Sequence, residues 1–193
     1  MKNSFSSYLV SKWLYLFLET KNPIYAWRTY QTARSFGVDV PSEVMTYLDK
    51  VADQLVKIAN DPPMAKVRPL EINKALGLGK RGAGPESLFK DYTERQKSLK
   101  IAIETFEEIN RSGKEYIIFE ELAKKYKSSE STIRRNYKKH LEKWGADAEY
   151  LIKEKIVEFG KDGKPKMQMA GTADDLREMA IILTLIEQNL NPT

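Results

Sequence analysis

Between Asn60 and Pro85 the chain crowds Pro62, Pro63, Pro69, Gly77, Gly79, Gly82, Gly84 and Pro85 into one stretch, and no long regular element can run through it. Proline removes an amide donor and clashes with the preceding turn, and glycine costs a helix interior about 1 kcal/mol relative to alanine. The residues on either side must therefore fold as separate blocks. In both blocks the apolar residues recur three and four apart, which is the helical period. The expected fold class is all-α, in four parts: an N-terminal helical bundle over 1–60, a Pro/Gly-rich basic linker over 61–85, a long helix plus a helix pair over 86–145, and C-terminal helices for packing or dimerisation over 146–193.

In the first block, Phe5 to Leu18 reads as a helix. Asn22-Pro23 supplies an N-cap followed by proline at the first helical position, and the helix Ile24 to Phe36 stops at Gly37. Asp39-Val40-Pro41 opens the next helix, whose inward face is Val44, Tyr47, Leu48, Val51, Leu55 and Ile58. The aromatic set Trp13, Tyr15, Phe17, Tyr25, Trp27 and Tyr30 is expected to pack the bundle core, with a partner-binding surface as the alternative.

Within the linker, Pro69 to Leu76 can form a short helix presenting Ile72 and Leu76. Gly77 to Gly84 mixes glycine with Lys80 and Arg81, a composition that can cradle phosphate, but no strand pattern precedes it and the lysine-then-Ser/Thr spacing of a phosphate loop is absent. It reads as a flexible basic connector. Glu86 to Asn110 is one long helix with Leu88, Phe89, Tyr92, Leu99, Ile103, Phe106 and Ile109 apolar, ended by Arg111-Ser112-Gly113. Further on, Ala146 to Ile156 reads as a separate helix and Val157 to Met169 as a small hairpin. The last element is Thr172 to Leu190, with Asp174 and Asp175 in the first turn where the helix dipole favours anions.

Charge is distributed unevenly. Between Leu122 and Trp144 lie eight cations, Lys124, Lys125, Lys127, Arg134, Arg135, Lys138, Lys139 and Lys143, against the two anions Glu130 and Glu142. That window carries +6 while the whole chain carries +5, so the remainder nets −1. A localised field of this sign is the footprint of a polyanion partner.

The residues Ile117 to Leu141 place Ala123 where two helices crossing steeply need a small side chain, with Leu122, Tyr126 and Ile133 as apolar contacts around it. Ser128 or Ser129 can cap the second helix, whose inward stripe is Ile133, Tyr137, His140, Leu141 and Trp144. This pattern resembles the helix-turn-helix family of transcription regulators, sigma factors and recombinase or transposase DNA-binding domains. The resemblance covers residues 117–144 and implies double-stranded DNA as partner. It maps the base-reading positions onto Ser129, Glu130, Ser131, Arg134, Arg135 and Lys138. Arg134 and Arg135 are the residues expected to read guanine, because a guanidinium can pair with O6 and N7 together. Lys124, Lys125, Lys127, Lys138, Lys139 and Lys143 are expected to attract phosphates. Three positions depart from the family pattern, with Lys127 in place of the turn glycine, Ser128 in place of an apolar residue and Asn136 in place of an aliphatic one. They predict a looser turn.

Other chemistry finds little support. The chain has no cysteine, so disulfides and thiolate metal sites are excluded and a cytoplasmic setting is expected. The apolar run Tyr8 to Leu18 is interrupted by Ser11 and Lys12, too short for a bilayer, and followed by no cleavage-site pattern. His140 is the single histidine and reads as packed or phosphate-facing. The pairs Glu107-Glu108, Glu120-Glu121 and Asp174-Asp175 diverge by about 100° on a helix, so none makes a metal site alone. No catalytic residue, cofactor or metal is assigned. In the last helix Leu176, Met179, Leu183, Ile186 and Leu190 form a stripe that Ile181, Ile182 and Leu185 widen, to be buried within the chain or in a homodimer. The expected function is a non-enzymatic, sequence-preferring DNA-binding protein, a transcriptional regulator or the DNA-recognition subunit of a phage or mobile-element system. The alternative is a helical protein-interaction factor acting through the N-terminal aromatic bundle.

Overall fold

The computed structural model describes residues 5–61, 68–78, 85–159, 165–166 and 173–190. The fold is all-α, with eight helices among the described residues and a single two-residue antiparallel ladder. Two compact units, Met1–Thr93 and Glu94–Thr193, divide the chain inside the fifth helix.

The first unit holds α1 (Phe5–Thr20), α2 (Pro23–Phe36), α3 (Ser42–Asn60), α4 (Arg68–Ala75) and the start of α5 (Pro85–Ser112). Asn22 works at both ends of its amide. Its oxygen accepts the Ile24 N–H at 3.0 Å, capping α2, and its nitrogen donates to the Leu88 carbonyl of α5 at 3.1 Å. Both halves of a buried amide are thereby satisfied, avoiding a penalty of about 1–3 kcal/mol for an unpaired group. Gly37 ends α2 in the left-handed region at φ 63°, donating back to the Ala33 and Arg34 carbonyls.

Aromatic rings fill the centre of this unit. Trp13 stacks on Tyr25 at 6.1 Å, and Tyr25 meets the edge of Tyr92 at 5.7 Å. Tyr47 lies edge-on to Trp27 and donates to the Leu76 carbonyl at 2.9 Å, joining α3 to the end of α4. The aromatic set nevertheless splits: Trp13 and Tyr25 are buried, whereas Tyr15, Trp27 and Tyr30 are exposed. Helical spacing turns Tyr15 and Trp13 about 200° apart, so one helix cannot bury both against the same neighbour.

The second unit takes α5 from Glu94 onward, then α6 (Glu115–Tyr126), α7 (Glu130–Lys153) and α8 (Ala173–Leu190). Gly113, at φ 66°, separates α5 from α6. Ile101, Ile118, Phe119, Leu122, Ala123 and Ile133 form one buried cluster, with Ile109, Tyr126 and Tyr137 packed against it. Farther along α7, Trp144 is fully buried, edge-on to Phe106 at 6.1 Å, and its indole N–H donates to Glu178 of α8 at 3.0 Å.

Two expectations are corrected here. Ala146 to Ile156 is not a separate helix, because α7 passes through Gly145 and continues to Lys153. Ala148 and Leu151 prolong the buried stripe of Ile133 and Trp144, and that burial outweighs the local cost of one glycine. In the other, Phe89 is exposed, because it stands about 100° around α5 from the buried Leu88 and off the face expected to hold both. The hairpin region shows Glu158 opposite Lys166 and Phe159 opposite Pro165, and its turn lies outside the described residues.

α8 spends its apolar face inside the unit. Met179, Ile181, Ile182 and Ile186 are buried, and Arg177 grips both oxygens of Glu107 on α5 at 2.9 and 2.6 Å. Of the stripe that could have served a homodimer, Met179 and Ile186 are consumed this way and Leu176 and Leu183 are half-buried. The Leu190 side chain and the expected cap Thr172 fall outside the described residues.

Candidate nucleic-acid interface

The turn between α6 and α7 is tight. Lys127 adopts φ 50° and ψ 50°, the left-handed conformation that glycine takes most easily, and donates its N–H to the Ala123 and Lys124 carbonyls. The Ser128 N–H reaches the Ala123 carbonyl at 2.9 Å. The expectation of a looser turn is thus corrected: lysine pays the backbone strain, about 1–2 kcal/mol for an L-residue, and the hydrogen bonds close. Ser129 is the N-cap. Its hydroxyl accepts the Thr132 N–H at 3.2 Å and lies 2.9 Å from the Ser131 hydroxyl, so this side chain is engaged in starting α7.

The core fixes which face of α7 looks outward. Ile133 and Trp144 point inward with Tyr137 beside them, which leaves Ser131, Arg134, Arg135, Lys138, Lys139, Glu142 and Lys143 exposed. Advancing about 100° per residue, Ser131, Arg135 and Lys138 lie opposite the buried stripe, while Arg134 and Lys139 flank them on either side. The two arginines that the sequence could not separate are different in kind. The Arg134 guanidinium sits over the Phe119 ring at 4.5 Å, a cation–π contact with a core residue of α6. Arg135 makes no such contact among the described residues and extends from the centre of the outward face.

The basic residues also divide by partner. Lys124 is paired with Glu120 at 2.6 Å, and that hydrogen bond raises its ammonium pKa above the ordinary value. Lys125 is bonded to Glu104 of α5 and lies over the Tyr126 ring. Burial alone would raise the Glu104 carboxyl, but bonds from Lys125 and Tyr126 outweigh it and hold the group below the usual carboxylate range. The Tyr126 phenol is pushed up to about 12 by burial and by its bond to that carboxylate. Lys127, Arg135, Lys138 and Lys139, by contrast, have no ion-pair partner among the described residues. Glu130, half-buried in the first turn of α7, places an anion where the helix dipole favours it.

One constellation was not read from the sequence. Asn136, in the position where an aliphatic residue was expected, donates to the Ser98 carbonyl of α5 at 2.8 Å and accepts the Ser98 hydroxyl proton. With that proton committed, His140 Nε2 is the donor in its 3.0 Å contact with the same hydroxyl. Asn136 and His140 stand four apart on α7, so a polar pair one turn apart beside the apolar stripe was the available signal. Its partner on α5 was not legible. The trio fixes the register of α7 against α5, and hence the direction in which Arg135 projects. No known family model, curated protein or solved structure matches the chain.

Proposed function

We propose that α6, its turn and α7 form a helix-turn-helix that binds double-stranded DNA without catalysis, as a transcriptional regulator or as the DNA-recognition subunit of a phage or mobile-element system. The observation that carries this reading is the outward face of α7, where Ser131, Arg135, Lys138 and Lys139 stand exposed on a helix whose opposite face is locked into the core. Such a face fits the major groove, which admits one helix. Arg135 reads guanine through paired bonds, Lys138, Lys139 and Lys127 hold phosphates, and Arg134 supports the edge of the contact from its place on Phe119. Lys124, Lys125 and Lys143 add to the field around the groove. This reading goes with a cytoplasmic setting, which a cysteine-free chain permits; among the described residues no helix is long and apolar enough to cross a membrane.

Fluorescence anisotropy with random duplex at two salt concentrations tests the proposal. Binding should weaken steeply with salt, the logarithmic slope being about −0.9 for each phosphate neutralised. Arg135→Ala should erase about 1–3 kcal/mol of discrimination between sequences, whereas the pair Lys138→Ala and Lys139→Ala should weaken all duplexes alike. Absence of binding at low salt sinks the reading. A second reading, a protein-interaction factor, draws on the exposure of Tyr15, Trp27 and Tyr30 in the first unit. Duplex affinity unchanged by the α7 substitutions would favour it.

A further inference from the structure

Beside the outward face of α7 lies a cleft of about 580 Å³ between α5, the α6–α7 turn and the first turns of α7. Its volume lies in the range of small-molecule sites, about 300–1,000 Å³. Four cations line it, Lys97 of α5, Lys127 of the turn, and Arg135 and Lys139 of α7, against the single carboxylate of Glu94. None of the four has an ion-pair partner among the described residues. Ser128 and Thr132 join them in the lining, while Ile101, Ile133 and Tyr126 give the cleft an apolar part.

We propose that this cleft binds an organic phosphate, a small molecule with a phosphate group on a flat apolar body, and that its occupancy competes with DNA. The charge pattern calls for an anion: cations around a concavity focus their fields into it, and charge-assisted bonds to phosphate are about twice as strong as neutral ones. The apolar part calls for more than a bare ion, since a free phosphate leaves the half-buried Tyr126 ring, beside the already buried Ile101 and Ile133, uncovered. Competition follows from shared residues. Arg135 and Lys139 line the cleft and also stand in the proposed DNA contact, and a side chain neutralised by a bound phosphate is withdrawn from the duplex. This second clause rests on the DNA reading; binding of the phosphate does not.

The test is a titration of the full chain, followed by amide NMR at constant ionic strength, with adenosine monophosphate, adenosine and inorganic phosphate as separate probes. The monophosphate should give saturable shifts at Lys97, Ser128 and Thr132, and adenosine and inorganic phosphate should each bind about tenfold or more weakly, a loss of about 1.4 kcal/mol. Arg135→Gln, Lys139→Gln and Lys97→Gln, all at exposed positions, should each reduce the affinity while leaving the melting temperature in place. Shifts that do not saturate, that map elsewhere, that survive all three substitutions, or that adenosine or inorganic phosphate reproduces at equal concentration would overturn the site. Preloading with the monophosphate should then weaken duplex binding. Unchanged duplex affinity overturns the competition alone, and a chain that takes the monophosphate but no duplex overturns the DNA reading and leaves the site standing.

Discussion

One helix ending recurs in both units, at Gly37 and Gly77 in the first and at Lys127 and Lys155 in the second, and the pair Gly37 and Lys127 bears a direct comparison. In the first unit α2 ends at Gly37, whose N–H returns to Ala33 and Arg34, and the Val38 N–H reaches Ala33 at 3.0 Å. In the second α6 ends at Lys127, whose N–H returns to Ala123 and Lys124, and the Ser128 N–H reaches Ala123 at 2.9 Å. Each turn leads into a longer helix that buries one stripe. The helices that follow differ in what they show to water: α3 carries Glu43, Asp49 and Asp53 against Lys50 and Lys57, whereas α7 opens with Arg134, Arg135, Lys138, Lys139 and Lys143 against Glu130 and Glu142. Shared backbone geometry therefore does not assign a function, and the difference in charge separates a structural joint from a candidate DNA contact.

The comparison can be broken most severely at the residue four before each alanine. Phe119 is fully buried there in α6, and Thr29 is fully buried there in α2, its hydroxyl bonded to the Tyr25 carbonyl at 2.7 Å. Phe119→Ala should cost about 3–5 kcal/mol in chemical denaturation and release Arg134 from its ring. Thr29→Val, which keeps the shape and loses the hydroxyl, should cost far less, about 1 kcal/mol. Equal losses would mean that the two joints are built alike after all.

Smaller effects follow at the turns themselves. A Cβ at Gly37 would meet nothing within 4 Å, so Gly37→Ala isolates the backbone cost of φ 63° and should destabilise by about 1 kcal/mol. Lys127→Gly should move the other way, by a few tenths to about 1 kcal/mol, as the strained lysine is relieved. A destabilised Lys127→Gly would show that the lysine side chain holds the turn. Gly145→Ala should likewise stabilise, by about 0.5–1 kcal/mol, since the residue is inside a helix with open space where its Cβ would be.

The smallest expected effect is electrostatic and confined to the second unit. The Glu104 carboxyl titrates below its ordinary range when folded, so its contribution is present at neutral pH and fades as pH falls through that lowered value. Tyr126 titrates near 12 when folded against 10.0 ordinarily, so its contribution is complete below pH 10 and fades as pH rises from 10 to 12. Tyr126→Phe should flatten the alkaline decline of the melting temperature and, by removing one of the two bonds that hold Glu104 low, shrink the acid-side loss as well. An alkaline decline left unchanged in the variant would place its origin in Tyr47 and Tyr137, whose phenols burial also raises.

Local chemistry made much of the fold legible in the sequence. Asn22-Pro23 and Gly37 bound α2 because a cap, a fixed φ and a left-handed glycine act within a few residues of their own backbone. The basic window from Lys124 to Lys143 needed no fold to be seen, since charge is a property of the residues themselves. The tertiary structure decided what depends on distant partners. It gave Asn136 a bond to Ser98, set Arg134 on Phe119 while leaving Arg135 outward, carried α7 through Gly145 on the strength of Ala148 and Leu151, and turned the apolar face of α8 into its own unit. Each of these compares a side chain's local preference with the burial or hydrogen bond that a remote segment offers, and sequence spacing holds only the first half of that comparison.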